Sequence, residues 1–556
     1  RARFDGSVRI ASDAPFALDA KLTAASLDGA SRPWQASASA TGPLAAVEVE
    51  ARLTSPQAAG AQIDAKATVA PFAAWPLSAL QASMRGLDLS ALVAEAPRTS
   101  LSGQARIDTR GLDQPISANV KLANAEPGRW DQQRLPLADI ELDLSGRADQ
   151  RDRLTLNRFE LRAPGDGGRA SGQGQWQGGT ATLDLTLHAF KPAALDARAP
   201  AMTLNGTLGS RWLGLPSPDG TAPTSSTLQL QSQLALDGRL EGRRGAPVRL
   251  SGAIQAERSA QGWRVELRDA QANSGNALLD AALVFERRAD GASALSTQVR
   301  AQSFDPAPWW PAAPSARLNG RWQADLQAPS AWQFVRGSTA PWLALRGKAQ
   351  LDLQDSVVAG VPMQAALRAE ATGADVGWNV DASLQATDNR AQLKGLLASR
   401  ADADRWRAEL DAPTLAALRP LINALGARAA MLAGIEGATT GRLQLDGRWP
   451  AVRTSGTLRA DKLRAGAIGA ARITAQWQAG ADRDAALALD IDGQGIALGV
   501  TTLETLRGKI EGTLAEHRIE LDGASALRPP AWTDAVLGSN APSRGSRVRL
   551  RGDARW

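Results

Sequence analysis

The chain of 556 residues contains no cysteine and no tyrosine, and only 2 histidines. Without cysteine it has neither disulfide bonds nor thiolate chemistry, which fits an extracytoplasmic protein that needs no covalent cross-links. It also lacks 18 consecutive apolar residues, the length of a membrane-spanning helix, and a charged-then-apolar signal segment at its start. Disulfide scaffolds and helical membrane domains are therefore excluded as descriptions of this sequence.

Catalytic motifs are absent as well. The metalloprotease H-E-x-x-H motif and the hydrolase G-x-S-x-G motif do not occur, and we expect surface or capping roles for His188 and His517 at polar strand positions or turns. The segment 165–174 is rich in glycine but lacks the G-K-[ST] ending of a phosphate-binding loop, so we predict a hairpin turn there. Asp490 and Asp492 share a strand face and have oxygen ligands suited to Ca²⁺, but a solvated polar face is the preferred interpretation. We predict no enzyme, and no catalytic, cofactor-binding or metal-binding residue.

The charge distribution argues against nucleic acid as a partner. Lys and Arg total 63 and Asp and Glu total 57, which gives a net charge of +6. The basic residues are scattered over polar strand positions without the interleaved aromatic residues that stack on bases. We therefore expect solvated faces and no nucleic-acid partner.

The feature that is present throughout is a period of two. Residues 227–237 read T-L-Q-L-Q-S-Q-L-A-L-D, so leucine and polar residues alternate. Side chains of a β-strand point alternately to opposite faces, which gives such a segment one apolar and one polar surface. The apolar-phase residues predicted to line a common groove are Leu18, Leu22, Val47, Val49, Ile140, Leu142, Leu144, Leu183, Leu185, Leu187, Leu228, Leu230, Leu234, Leu236, Leu351, Leu353, Leu487, Leu489 and Ile491.

This alternation predicts an all-β fold, an elongated antiparallel sheet curled into a U-shaped apolar groove with short crossover helices. If a strand and its turn take about 14 residues, the chain forms about 40 strands and a sheet on the order of 190 Å long. An outer-membrane barrel would need aromatic girdles, and a propeller would need blade repeats of about 40–50 residues. Neither pattern occurs, and the short repeats of a β-helix are also missing.

A loose internal repeat supports a modular array. Pro-bounded crossovers precede the tripeptides Leu101-Ser102-Gly103, Leu204-Asn205-Gly206 and Leu318-Asn319-Gly320, and a looser fourth copy returns to a strand at Gly441. We predict one continuous array over residues 1–556, an internal fragment of a longer protein. Its approximate repeats are 1–103, 104–206, 207–320, 321–441 and 442–556. Helices are expected near 73–95, 192–200, 306–313 and 413–434, with a kink at Pro420 in the last one.

Several segments carry a resemblance to a known family. These are Trp75-Pro76-Leu77, Leu87 to Ser90 and Leu101 to Gly103, together with Leu443 to Pro450 and the G-T-x-x-x-H turn from Glu511 to His517. In their order and spacing over roughly the whole chain they resemble the TamB-like proteins, the inner-membrane subunits of the translocation and assembly module of Gram-negative bacteria, within the AsmA-like group.

The resemblance implies a fold, a location and partners. The expected fold is a β-taco, or repeating β-groove, whose channel carries phospholipid acyl chains between inner and outer membrane. The expected location is the periplasm, with an inner-membrane anchor outside this fragment. The family is also linked to assembly and secretion of outer-membrane proteins through an Omp85-type barrel partner, TamA. Both functions, lipid transfer and outer-membrane protein assembly, stay open at this point.

The residues themselves favour lipid by a separate argument. A dry groove would hide acyl chains, since burial of each CH₂ contributes about 0.8 kcal/mol. The alternative, a scaffold that accepts unfolded strands, needs an open strand edge instead. The alternation further predicts that Leu142, Leu185, Leu230 and Leu489 face one shared groove, while Glu141, Asp184, Gln229 and Asp490 face solvent.

Overall fold

The structure is a computed structural model that divides into two compact units. Unit 1 comprises Arg1–Gly275 with Pro308–Trp310, and unit 2 comprises Asn276–Ala307 with Pro311–Trp556. The residues it describes are 2–26, 34–55, 61–73, 76–92, 96–109, 115–147, 149–216, 226–241, 245–310, 312–330, 332, 340–371, 377–424, 434–448, 451–499, 501–525 and 545–555.

Unit 1 holds the first sixteen strands. Burial alternates along many of these strands, such as Gln35–Pro43 and Leu228–Leu240, because successive side chains leave opposite faces of the pleat. The strands are β1 (Ala2–Ile10), β2 (Ala17–Ser26), β3 (Gln35–Pro43), β4 (Val47–Ser55), β5 (Ala61–Val69), β6 (Leu77–Leu87), β7 (Leu101–Thr109), β8 (Pro115–Asn124), β9 (Asp139–Arg147), β10 (Gln150–Arg162), β11 (Arg169–Gln177), β12 (Thr180–Phe190), β13 (Met202–Leu213), β14 (Leu228–Leu240), β15 (Pro247–Ser259) and β16 (Gly262–Ser274).

Unit 2 holds the other fifteen strands that the structure describes. They are β17 (Ala277–Arg288), β18 (Ser293–Phe304), β19 (Ala316–Ala328), β20 (Arg346–Val358), β21 (Val361–Ala371), β22 (Trp378–Ala386), β23 (Asn389–Leu397), β24 (Arg405–Ala412), β25 (Glu436–Asp446), β26 (Arg453–Ala465), β27 (Ile468–Ala479), β28 (Ala486–Leu498), β29 (Thr501–Thr513), β30 (Glu516–Ser525) and β31 (Ser546–Arg555).

Both units are antiparallel meanders. In unit 1 every strand from β1 to β16 pairs with the next strand in the chain. In unit 2 the same holds from β17 to β31. Strand accounts for 72% of the structure and helix for 5%, so the predicted all-β antiparallel fold with short helices is confirmed. The described strands number 31 rather than about 40, because many are longer than expected and reach 13 residues.

The helices are short. They are α1 (Leu89–Leu92), α2 (Ala340–Ala344) and α3 (Arg419–Ala424), with 3₁₀ turns at Trp130–Gln132, Pro192–Ala194, Ala401–Ala403 and Leu415–Leu418. None of the described helices is long and apolar enough to cross a membrane.

The helix predictions are confirmed in part. Three of the four predicted crossovers contain a helical turn, but the described residues of 306–313 form only bends and turns, since Pro306 and Pro308 supply no N–H donors. Pro420 lies in the first turn of α3, directly after the 3₁₀ turn Leu415–Leu418, at a position where proline is tolerated. Residues 425–433 of the last predicted helix lie outside the described part of the chain, as do 74–75 and 449–450 of the segments that carry the family resemblance.

The middle residue of each repeat tripeptide forms a hydrogen bond with the preceding strand. The tripeptides lie in β7, β13 and β19, six strands apart. In each case the middle residue accepts a hydrogen bond from a backbone N–H of the preceding strand: Ser102 Oγ from Gly86 at 2.9 Å, Asn205 Oδ1 from Ala189 at 2.9 Å, and Asn319 Oδ1 from Ser303 at 2.7 Å.

Those three donors sit at a repeated β-bulge. Gly86, Ala189 and Ser303 have positive φ angles of 60°, 47° and 49°, and the ladder register shifts beside each of them. A bulge bends the strand and leaves a backbone group without its ladder partner. The serine or asparagine side chain supplies that partner, which explains why the motif recurs. The repeat boundaries given above stay a prediction.

In two of the crossovers, an aspartate carboxylate bridges the start and the end of the loop. Asp88 Oδ1 accepts hydrogen bonds from the backbone N–H groups of Ser90 and Thr99, both at 3.0 Å. Asp305 Oδ1 does the same with Ala307 at 3.1 Å and Ala316 at 3.0 Å. One carboxylate thereby joins the start and the end of each crossover, and the two loops share this arrangement.

The strand ends define two edges for each unit. We call the side where even-numbered strands end and odd-numbered strands begin the crossover edge, because the predicted crossovers lie there. The opposite side is the turn edge.

In unit 2 the crossover after β24 buries an apolar cluster of Ala412, Leu415 and Ile435, against which Leu418, Ile422, Leu463 and Ala465 pack.

Candidate functional site: the apolar faces

In unit 1 the register places one uninterrupted apolar row across fifteen strands. Residues directly opposite in an antiparallel ladder share a face, so the row follows from the pairings of β1 to β15. We call it the central row of unit 1: Gly6, Leu22, Ala38, Ala51, Ala65, Ala82, Ala105, Val120, Leu142, Phe159, Gly172, Leu185, Leu208, Leu234 and Gly252.

Unit 2 has a row of the same kind across all of its described strands. No position in it carries a polar side chain. The central row of unit 2 is Ala281, Val299, Trp322, Leu351, Leu367, Ala382, Leu393, Ala408, Leu443, Gly456, Trp477, Leu489, Ile510, Ile519 and Gly552.

Every residue that the sequence predicted for the groove lies on the apolar face of its own unit, in a central row or a flanking position of the same strand phase. That these residues contact lipid stays a prediction. In unit 1 they are Leu18, Leu22, Val47, Val49, Ile140, Leu142, Leu144, Leu183, Leu185, Leu187, Leu228, Leu230, Leu234 and Leu236. In unit 2 they are Leu351, Leu353, Leu487, Leu489 and Ile491.

These faces have no second layer of strands over them in the part of the chain that the structure describes. The strands make their main contacts with their neighbours along the chain. Several leucines beside the central row of unit 2 keep more than a third of their surface exposed, among them Leu384 at 38%, Leu410 at 39% and Leu458 at 38%. Contiguous apolar surfaces of this extent are typical of interaction or ligand-binding sites.

Glycines let adjacent strands approach closely on these faces. A Cβ atom added at Gly172 would lie 2.2 Å from the carbonyl oxygen of Asp184 and 2.7 Å from Leu185 Cδ2. At Gly320 the corresponding distances are 2.1 Å to Asp352 O and 2.8 Å to Leu353 Cδ2. The large side chain of one strand therefore lies over the glycine of the next. Glycine inside a strand often marks such a close approach or a bend.

The opposite faces carry charge in cross-strand ion pairs. On unit 1 Arg52 Nε lies 2.6 Å from Asp64 Oδ1, and Lys121 Nζ lies 2.5 Å from Glu141 Oε1. The hydrogen bond from Lys121 lowers the pKa of Glu141. Glu141, Asp184, Gln229 and Asp490 all lie on the charged phase of their strands, where Glu141 and Gln229 are half-buried and Asp184 and Asp490 are exposed.

Depressions on the charged face of unit 2 are the alternative site. One, of about 700 Å³, is lined by Arg390, Glu409, Asp411, Arg442 and Arg459 among others. The charges of both signs are interspersed, and pairs such as Arg442 with Glu409 at 3.6 Å neutralise each other. Nothing in this arrangement selects an anion or a cation, so we assign it to solvation of the outer surface.

The titratable residues singled out in the sequence do not form a reactive centre. His188 lies opposite Arg169 on the polar face. His517 is the second residue of β30, after the predicted turn. It lies on the apolar phase opposite Gly512, with Nδ1 at 3.1 Å from Thr513 O. Asp492 pairs with Arg507 at 3.1 Å. Within the described residues no group of three or more His, Cys, Asp or Glu side chains is placed to hold a metal ion.

The glycine-rich segment forms the predicted hairpin connection. It links β10 to β11, and Ala170, Gly172, Gly174 and Trp176 then lie on the apolar phase of β11.

Tryptophan is the class of apolar-face residue that the sequence analysis missed. Trp212 in unit 1 and Trp322, Trp406 and Trp477 in unit 2 lie on the same phase as the leucines. The signal was present, because each occupies the apolar position of an alternating segment. A pattern of leucine, isoleucine and valine alone does not include them.

Comparison with known proteins adds no family. No protein-family model matches this chain, and neither a curated protein nor a solved structure matches it.

Proposed function

We propose that this protein is a bridge-like lipid-transfer protein, whose apolar faces carry phospholipid acyl chains between membranes. The observation that supports this most is the pair of central rows, each apolar on fifteen strands in succession. A single apolar ligand site would need only a few strands. A surface that repeats the same chemistry from strand to strand suits a ligand that slides from one position to the next.

Energetics support the same assignment. Each CH₂ group that leaves water gains about 0.8 kcal/mol, so an acyl chain on this face has a strong reason to remain there. The charged opposite face, with its ion pairs, keeps the protein itself in water. The resemblance to TamB-like proteins adds a location to the proposal: the periplasm of a Gram-negative bacterium, with a tether to the inner membrane outside this sequence and delivery to the outer membrane.

The second candidate is a scaffold for outer-membrane protein assembly with an Omp85-type barrel. Such a scaffold would accept incoming strands through backbone hydrogen bonds. Strands β2 to β15 and β18 to β30 are paired on both sides, so their ladders offer few free backbone groups. This pairing favours lipid transfer along the faces over strand addition along the array.

Site-specific photo-crosslinking tests the proposal. A photoreactive residue at Leu185 or Leu489 should capture phospholipid, because both lie in central rows. The same residue at the adjacent, exposed Asp184 or Asp490 should capture little, because these side chains point to the charged face. Equal capture at the members of each pair would contradict the proposal, and capture of unfolded outer-membrane polypeptide at all four would favour the scaffold.

A further inference from the structure

Along β13 to β15 the apolar face of unit 1 is graded from one edge to the other. Along β13 to β15 the crossover edge is fully buried: Met202 and Leu204 are 3% exposed, Leu240 is 2% exposed and Val248 is 1% exposed. At the turn edge of the same strands, Arg258 lies on the apolar phase opposite Leu228 and is exposed. The face thus runs from dry and apolar to wet and cationic.

Aromatic side chains mark the same turn edge. Trp176 and Trp212 lie in the row that includes Leu230, and Trp263 lies directly opposite Arg258. The Trp176 Nε1 donor is buried and has no hydrogen-bond partner in the described structure. Tryptophan favours the boundary between acyl chains and headgroups, because its ring is apolar and its N–H needs an acceptor.

The guanidinium group of Arg258 has no partner among the described residues, because it forms neither an ion pair nor a hydrogen bond with any of them. Unit 2 repeats the feature independently: Arg287 stands on the apolar phase at the turn edge of β17, opposite Ser293, and is likewise exposed. A lone guanidinium beside an apolar face suits a phosphate group, which it can bind with two parallel hydrogen bonds.

We propose that lipid headgroups lie at the turn edge of β13 to β15, and that Arg258 binds the phosphate of a phospholipid whose acyl chains extend towards the crossover edge. This inference rests on the proposed lipid transfer and names the orientation and the headgroup chemistry. The dimensions agree. From Ala256 to Leu250 the strand covers about 20 Å, and the acyl chains of one bilayer leaflet span about 15 Å.

The test compares two lipids with identical acyl chains, phosphatidylglycerol and diacylglycerol, binding to the full chain. The variant Arg258→Gln should bind phosphatidylglycerol about tenfold more weakly, equivalent to about 1.4 kcal/mol, and should bind diacylglycerol as the wild type does. Arg258→Lys should retain most of the phosphatidylglycerol affinity. The control Arg249→Gln removes a cation of the same strand from the charged face, opposite Asp237, and should change neither affinity.

The outcomes separate this inference from the function on which it rests. If the wild type binds both lipids equally and Arg258→Gln changes neither, the headgroup assignment is wrong and lipid binding stands. If Arg258→Gln weakens both lipids equally, Arg258 supports the strand rather than the phosphate, which also overturns the inference. If soluble glycerol phosphate displaces phosphatidylglycerol, the site binds free phosphate and not a lipid edge. If the wild type binds neither lipid, both proposals fail.

Discussion

At the scale of single residues, small side chains shape the apolar faces as much as large ones do. Gly172 and Gly320 lie where a carbonyl group and a leucine of the adjacent strand come within reach of any Cβ atom. Gly552 is also on the apolar phase, but a Cβ added there would meet nothing within 4 Å. These positions therefore distinguish a steric requirement for glycine from its mere presence.

We predict that Gly320→Ala loosens the pairing of β19 with β20, because the new methyl group would overlap Asp352 O. Overpacking of this kind costs about 1–3 kcal/mol. Hydrogen exchange of peptides from β19 and β20 should rise, while the peptides of β30 and β31 stay unchanged, since damage in stacked arrays remains local. Gly552→Ala is the control and should leave exchange as it is. No increase at β19 in Gly320→Ala would show that the strands are less closely apposed than described.

At the scale of elements, cross-strand ion pairs give neighbouring strands a dependence on pH. Asp522 in β30 accepts hydrogen bonds from Arg547 at 2.9 Å and from Arg549 at 3.0 Å, both in β31. These hydrogen bonds lower the pKa of Asp522 below its ordinary value. A carboxyl group whose folded-state pKa is depressed contributes stability above its unfolded pKa, near 4, and loses it as pH falls through the folded value.

We therefore expect the protection of β30 and β31 from hydrogen exchange to hold from pH 8 to pH 5, after correction for the intrinsic exchange rate. It should decrease below about pH 4. In Asp522→Asn the protection should be lower at neutral pH and should fall less on acidification. A decrease that is complete between pH 8 and pH 5 would contradict the assignment of this carboxyl group.

The strands also show which parts of the fold can be predicted from the sequence. Alternation such as Leu228 to Leu236 predicts a strand and its faces, because the pleat alone decides which side chains share a side. The bulges at Ala189 and Ser303 were not predictable, since a bulge appears only when two particular strands are paired. For the same reason the capping role of Asn205 and Asn319 was invisible, although both were recognised as parts of a repeat.

The candidate site also has some features that the sequence predicts and others that it does not. The lining leucines followed from the period, whereas the graded character of the face did not. From the sequence alone, Arg258 is an ordinary charged residue at the end of a strand. Its pairing with Leu228 shows that it lies on the apolar face. Glu141 lies on the charged face as expected, but its half-burial beside Lys121 depends on which strand is adjacent and was not predictable.

At the scale of the whole molecule, each unit presents one apolar and one charged face on strands that pair in chain order. Ordinary domains cover such a face with a second layer. In the described residues of unit 2, apolar clusters bury parts of the face at both edges, around Ala412 and Leu415 at the crossover edge and around Ala371 and Trp378 at the turn edge, and no second layer of strands covers the surface between them. Lipid is the ligand that we propose for this surface, because the chemistry of an acyl chain would match every strand of such a face.

The most direct test is to measure phospholipid retained by the purified protein with native mass spectrometry and lipid extraction. The account predicts bound phospholipid in the wild type and reduced amounts in Leu234→Arg and Leu489→Arg, because an unpaired charge in a dry site costs several kcal/mol. The matched controls Ala235→Arg and Ala488→Arg lie one residue away on the exposed charged faces and should retain wild-type amounts. Absence of phospholipid from the wild type, or equal amounts in all four folded variants, would contradict the account.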